Sequence, residues 1–221
     1  MAQVISTIQS KGGACKSTMI QCIAAMLGKD GHNVIIVDTD KQASCIAWAK
    51  AQDVENVDTL PYLDEDTILD VIEGLKDRYD VILIDTAGFD SRMASYAIQA
   101  SDLILIPSGG SKDNVLGAAR SWKHAIDSTK NHKSPPKVRL VLWGVKRNSK
   151  VFEHAKQTIE AANIPIVNTH VGNLVGFESM SWNGGLPDRT AKIALNDFMR
   201  QLKLDNLIPC MNREVENGQA A

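Results

Sequence analysis

The chain has 221 residues, with 24 Lys+Arg against 26 Asp+Glu for a formal net charge of −2, and 44% of its residues are hydrophobic. These values fit one soluble domain large enough for a full core. They exclude a membrane-spanning chain, since no apolar run approaches the roughly 20 residues that cross a bilayer, and a low-complexity one. The first apolar strand starts so close to Met1 that no signal peptide is expected. The four cysteines, Cys15, Cys22, Cys45 and Cys210, have neither metal-ligand nor redox-motif spacing, as expected in a reducing cytoplasm. The near-neutral total conceals an asymmetry. Residues 1–111 hold 8 Lys+Arg and 16 Asp+Glu, residues 112–156 hold 11 and 3, and residues 157–221 hold 5 and 7. So basic a segment in an acidic chain points either to a polyanion-facing surface or to a solvated lysine-rich face.

In chain order, Val4 to Ile8 reads as a short apolar strand, followed by the loop Gln9-Ser-Lys-Gly-Gly-Ala-Cys-Lys-Ser-Thr18. Ile20, Ile23, Ala24 and Leu27 then recur at helical spacing, with Gly28 and Gly31 where the helix should stop. Val34 to Val37 reads as a buried strand ending in Asp38-Thr-Asp40, and Gln42 to Gln52 as a helix. Residues 53–66 are acidic and irregular, with a short strand near Thr59 to Tyr62. Thr67 to Lys76 is helical. Val81 to Ile84 is a second buried strand, ending in Asp85-Thr-Ala-Gly88. Arg92 to Ala100 is a helix, and Leu103 to Ile106 a third such strand, ended by Pro107.

The second half continues the alternation. Asn114 to Ser128 is a helix, Lys130 to Lys137 a solvated loop, Val138 to Trp143 a strand, Lys150 to Ala162 a helix and Ile164 to Asn168 a last strand. Residues 170–190 show no clear period, and Ala191 to Leu204 is a terminal helix. From Asp205 the chain is polar and expected to fray, so residues 1–204 form one domain and 205–221 a flexible tail. There is no internal repeat. Alternating helices and continuous apolar strands predict an α/β fold, a mostly parallel sheet with helices on both faces. Ligands on such sheets bind at the carboxyl ends of the strands.

Those ends carry the chemistry. A glycine-rich loop between a strand and a helix offers backbone N–H groups and the positive end of the helix dipole to an anion. Here Gly12, Gly13, Ala14, Cys15, Lys16, Ser17 and Thr18 would surround phosphates, with Lys16 reaching the terminal ones and the Ser17 hydroxyl ligating Mg²⁺. The ordinary pattern G-x-x-x-x-G-K-[ST] has glycine at positions 10 and 15, where this chain has Ser10 and Cys15. A glycine before the lysine lets the backbone take conformations that other residues resist, so Cys15 is expected to be strained. Its place at a helix N-terminus beside Lys16 also predicts a lowered thiol pKa. Asp85 follows four aliphatics, the form that delivers one carboxylate to a Mg²⁺ shell.

What remains, Lys11-Gly12-Gly13 followed by Lys16-Ser17, resembles the deviant Walker A pattern K-G-G-x-x-K-[ST] of the ParA/MinD group of P-loop ATPases. Asp38-Thr-Asp40-Lys-Gln42-Ala-Ser44 is similar to the D-x-D-P-Q-x-S segment of ParA proteins, with Lys41 in place of proline. Ser101-Asp102-Leu-Ile-Leu-Ile106-Pro107 is similar to their S-D-L-x-I-x-P strand. The resemblance extends over residues 3–204. It implies that Lys11 reaches the nucleotide of a partner subunit, that Asp40 positions or activates the attacking water, and that Lys11, Lys16 and Asp40 form the catalytic set. It also implies that Asp38 and Asp85 support Mg²⁺ through water alongside Ser17, that Asp85 to Gly88 form a second switch, and that Pro107 flanks the adenine. One of Lys146, Arg147 and Asn148 would read the base.

As a whole, the resemblance implies a small ParA-type plasmid-partition ATPase without the N-terminal helix-turn-helix extension. ATP and Mg²⁺ would form a sandwich homodimer that holds nonspecific double-stranded DNA through phosphate contacts. A centromere-binding ParB-type adaptor would stimulate an otherwise slow hydrolysis and release the dimer. Candidate DNA contacts are Arg120, Lys123, Arg139, Lys146, Arg147 and Lys150, with Arg189, Lys192, Arg200 and Lys203. The implied location is the bacterial cytoplasm, on the nucleoid. Membrane attachment is not expected, because the tail has only Leu207, Ile208 and Met211 as large aliphatics. Two other readings stay open: a nucleotide-gated binding module that no longer hydrolyses, favoured by Cys15 and Lys41, and a metabolic enzyme of the same superfamily. The cysteines do not match the iron–sulfur form of the latter, and it gives no reason for the basic segment.

Overall fold

The computed structural model describes residues 2–88 and 92–209. The apolar runs become seven strands, β1 Gln3–Thr7, β2 Val34–Asp38, β3 Val57–Pro61, β4 Val81–Asp85, β5 Leu103–Ser108, β6 Lys137–Val145 and β7 Ile166–Gly172. Every pairing is parallel, in the order β3-β2-β4-β1-β5-β6-β7. Among the described residues, eight helices connect and cover them: α1 Lys16–Lys29, α2 Ser44–Ala51, α3 Ile68–Leu75, α4 Arg92–Ala100, α5 Lys112–Thr129, α6 Lys150–Ala161, α7 Val175–Asn183 and α8 Arg189–Leu204. Strands buried on both faces must be apolar throughout, and β2 and β4 are buried at every position. One core joins α1, α2, α7 and α8 to one face of the sheet; two more join α3, α4, α5 and α6 to the other. Because β1 lies between β4 and β5, the chain reverses direction across the sheet beside it. The loop after β1 therefore opens at the switch point, where such sheets leave a crevice.

The predicted order of elements holds, with local differences. Gly28 lies inside α1 and does not stop it; a Cβ there would sit 2.2 Å from the Glu55 carbonyl oxygen, so the glycine admits a close backbone crossing. β5 runs through Pro107. The Pro107 carbonyl accepts from Gln9 Nε2 at 3.0 Å on the β1 side, beyond the last β1 partner of β5, so no ladder bond is lost to the missing N–H. α7 forms in the stretch without a period. It buries Gly176, Phe177 and Met180 yet exposes Val175 and Trp182, and apolar residues on both faces erase the helical signal.

Packing also continues past residue 204. Leu207 and Ile208 are buried in the α1–α8 core, and the Leu207 carbonyl accepts from Gln3 Nε2 at 2.8 Å. The predicted tail is thus packed through its first residues, and residues 210–221, with Cys210 and Met211, lie outside the described ones.

Candidate nucleotide site at the carboxyl ends of the strands

β1 delivers the loop of residues 9–15 to the start of α1. Gly13 has φ +72°, and Cys15, the residue before the helix, sits in the left-handed region at φ 64°, ψ 27°. That conformation costs a side chain with a Cβ about 1–2 kcal/mol, which meets the expectation of strain. α5, α6 and α8 begin with Ser111, Ser149 and Asp188 accepting a first-turn N–H. α1 has no side-chain cap and no acidic residue in its first turn. Its first N–H groups are left for an anion. A cleft of about 470 Å³ covers them, lined by Gly12 to Thr18 together with Asp40, Gln42, Phe177 and Ser181.

The Cys15 thiol does not behave as its sequence position predicts. Burial pushes its pKa up, and the Lys16 ammonium offsets this only in part. The sulfur packs toward β6, 3.9 Å from where a Cβ on Gly144 would stand. Desolvation outweighs the helix end, so the expected reactive thiolate is not favoured. Lys16 itself is half-buried; burial lowers its pKa, while the charges of Asp85 and Asp40 pull it back up. Lys11 is exposed, and its neighbour Gly12 is the first loop residue that lines the cleft.

The three carboxylates differ. Asp38 is buried, and its Oδ2 accepts the N–H of Cys45 at 2.9 Å and of Ile46 at 3.3 Å, while Oδ1 accepts from Asp40 N at 3.1 Å. It serves as the remote cap of α2, which has no side-chain cap of its own because Ala43, in its cap position, carries no polar atom. Asp40 is half-exposed, lines the cleft, and accepts the Gln42 N–H at 2.9 Å. Asp85 has no exposed surface, and burial pushes its carboxyl pKa up to about 6 against a weaker pull from Ser17, Cys45 and Lys16.

The Cys45 thiol lies 3.3 Å from Asp85 Oδ2, whereas Oδ1 has no hydrogen-bond partner among the described residues. A buried, unpartnered carboxylate oxygen beside the Ser17 hydroxyl is what a hard divalent cation requires, so these residues fit Mg²⁺. The donor atoms of Asp38, Cys45 and Asp85 lie within 4.8 Å of one another. Burial keeps the Cys45 thiol protonated, which leaves an oxygen donor set.

A second cleft of about 320 Å³ shares Cys15, Thr18, Phe177 and Ser181 with the first. Its walls include Trp143 and Gly144 at the end of β6, Asn173 after β7, and Trp182 of α7. Sequence reasoning missed these residues, because α7 gave no periodic signal. Pro107 is buried in β5 and lines neither cleft, nor do Lys146, Arg147 and Asn148, which are exposed in the turn after β6. A hollow of about 560 Å³ at the opposite end of the sheet is lined by Asn33, Asp53, Glu55, Asp58 and Arg78, all exposed. It has no phosphate loop and brings no buried polar group together.

The basic candidates divide. Arg120 and Lys123 on α5, Lys146 and Arg147 after β6, and Lys150 at the start of α6 are exposed on the α3–α6 side. Arg189 and Lys192 begin α8 on the other side. Arg139 is half-buried and donates to the Val138 carbonyl at 2.9 Å. Arg200 pairs with Asp197 at 3.0 Å, and Lys203 with Asp30 at 2.5 Å.

Residues 2–200 match the family model described as VirC1 protein. Protein ParA of Rhizobium radiobacter is 37% identical over 105 residues, an alignment that spans 47% of this chain and 47% of that protein, less than half the length of each. Protein virC1 of Rhizobium radiobacter is 26% identical over 213 residues, 91% of this chain and 90% of that one. Among solved structures, a plasmid partition protein from Borrelia burgdorferi shares the fold with a TM-score of 0.65 at 18% identity, covering 90% of this chain and 99% of that one. No helix among the described residues is long and apolar enough to cross a membrane. A P-loop sheet with a deviant Walker A loop, matched over residues 2–200, places the chain in the VirC1 protein family.

Proposed function

We propose that the chain is a partition-type ATPase that binds ATP with Mg²⁺, pairs with a second copy, and holds DNA while ATP is bound. The observation that carries this is one cleft that joins an uncapped α1 start, Lys16 and Asp40, with Asp85, a buried carboxylate that has an unpartnered oxygen, acting on Ser17 and Lys16 of that lining. The loop N–H groups from Gly12 to Thr18 would hold the phosphates, and Lys16 would neutralise the terminal ones. Ser17 and Asp85, backed by Asp38, would hold Mg²⁺, which supplies charge neutralisation across the phosphates. Asp40, which lines the cleft and accepts the Gln42 N–H, would orient the attacking water. Lys11, which is exposed, would contact the nucleotide of the second copy. Catalysis of this kind is positioning and electrostatic stabilisation, so turnover is slow until a partner completes the site.

The exposed cations of α5, the turn after β6 and α6 support nonspecific duplex binding, which needs only charge and placement. A centromere-bound adaptor of ParB type would then trigger hydrolysis and release, and the nucleoid would be the resting place of the ATP form. The test is ATP turnover in Mg²⁺ with and without nonspecific duplex DNA. Turnover that rises with duplex supports the reading. Tight ATP binding with no turnover under either condition would leave the nucleotide-gated module in its place.

A further inference from the structure

Gln9, two residues before Lys11, is fully buried and ties three parts of the molecule together. Its Nε2 donates to the Pro107 carbonyl at 3.0 Å, which fixes the orientation of the carboxamide. Its Oε1 then faces the loop and α5. It accepts from the Lys11 N–H at 3.4 Å and from Ser10 Oγ at 3.3 Å, and Ser121 Oγ lies 3.4 Å away, its one proton shared between Gln9 Oε1 and the Gly117 carbonyl at 3.0 Å. Ser121 also accepts the Ser10 N–H at 3.2 Å and stands one helical turn beyond Gly117. Gly117 makes this approach possible, since a Cβ there would lie 2.9 Å from Gln9 Oε1 and 3.1 Å from Ser10 Oγ. The individual bonds are long, but they converge on one oxygen in a buried setting, where such networks hold geometry jointly.

We infer that Gln9, held by Ser121 of α5 and the Pro107 carbonyl, is the positioning residue of Lys11: it sets the direction in which the exposed lysine leaves the loop toward a second copy. The inference rests on the proposed use of Lys11 across the dimer. Lys16, Ser17 and the N–H groups of α1 lie on the far side of Gly12 and Gly13 and do not depend on this anchor. Losing the anchor would therefore affect association and spare nucleotide binding. The network also joins Lys11 to the helix that carries Arg120 and Lys123, so the loop and the basic surface share one rigid support.

The test uses the full chain with Gln9→Met, which keeps the volume, and Ser121→Ala, which removes a single hydroxyl. Lys11→Ala is measured alongside, and thermal melts confirm folding. Affinity for a fluorescent ATP analogue and ATP-dependent dimerisation by sedimentation are measured together. Either variant should weaken dimerisation roughly three- to tenfold, the effect of one hydrogen bond, while nucleotide affinity stays at the wild-type value. Wild-type dimerisation by both variants, or a loss of nucleotide affinity that matches the loss of dimerisation, overturns the positioning role alone. Normal dimerisation by Lys11→Ala itself overturns the trans use of the lysine, and the positioning role with it. If Gln9→Met does not fold, Ser121→Ala decides.

Discussion

The carboxyl ends of β1, β2 and β4 and the basic surface of α5, the turn after β6 and α6 are built in opposite ways. At the strand ends the carboxylates of Asp38 and Asp85 are buried and held in place. Asp38 takes three backbone N–H groups, Asp85 has no exposed surface, and Cys15 and Ala43 hold left-handed backbone at the starts of two helices. On the basic surface Arg120, Lys123, Lys146, Arg147 and Lys150 are exposed and make no ion pair among the described residues. Phosphoryl chemistry fails when an atom moves by an ångström, so its groups are buried and fixed. A polyanion would be held by summed charge, for which groups that stay in water suffice. The first region should respond to single atoms and the second only to net charge.

The largest effect is expected at Asp40. Asp40→Ala should lower ATP turnover by about 10²–10⁴-fold, the range for a positioned acid–base group, and should retain ATP binding. Single-turnover kinetics separate the two, and a wild-type rate would reduce Asp40 to a turn residue held by Gln42.

Asp85 comes next. Its folded pKa, about 6, lies above the ordinary 3.8, so between those values the folded state binds the proton more tightly than the unfolded one. Stability of the nucleotide-free protein in chelator should therefore fall as pH rises from about 4 to about 6, by at most roughly 3 kcal/mol. The difference between wild type and Asp85→Asn, followed by urea unfolding across that window, isolates this group from other carboxylates. A flat difference would mean that the carboxyl is ionised in the empty site.

Two glycine substitutions sharpen the contrast within the strand-end region. Cys15→Gly should raise stability by about 1–2 kcal/mol through relief of left-handed strain, and ATP affinity or turnover several-fold, since Cys15 lines the cleft. Ala43→Gly should raise stability comparably without changing ATP affinity. Equal ATP affinity and turnover for wild type and Cys15→Gly would show that the loop absorbs the side chain.

The smallest single effects belong to the basic surface. Reversing Lys146, Arg147 and Lys150 should reduce the log–log salt slope of duplex binding by about 0.9 for each true contact, with ATP affinity unchanged. Reversing Arg139 or Arg200, which are engaged within the chain, should leave that slope alone.

What was legible in the sequence follows the same division. Continuous aliphatic runs reveal buried parallel strands, and a glycine loop between a strand and a helix reveals the phosphate end of the site, because both are local patterns. α7 was not legible, since a nine-residue helix with Phe177 buried and Trp182 exposed has no single apolar face. With it went the second cleft, whose walls come from β6, β7 and α7 together. The role of Asp38 as a cap of α2 depends on a turn that brings Cys45 N back to it, and the burial of Leu207 depends on a crossing beside β1. Neither is encoded at neighbouring positions. The thiol of Cys15 went the other way from its local setting because burial, a property of the whole fold, outweighs one adjacent lysine.

The central claim is that nucleotide joins two copies through a loop built for it, and mass in solution tests it most directly. In Mg-ATP, light scattering should give twice the 24.1 kDa of the chain, and in Mg-ADP the single mass, with Lys11→Ala remaining at the single mass in both. One mass in both nucleotides for the wild type, or a normal dimer from Lys11→Ala, would contradict it.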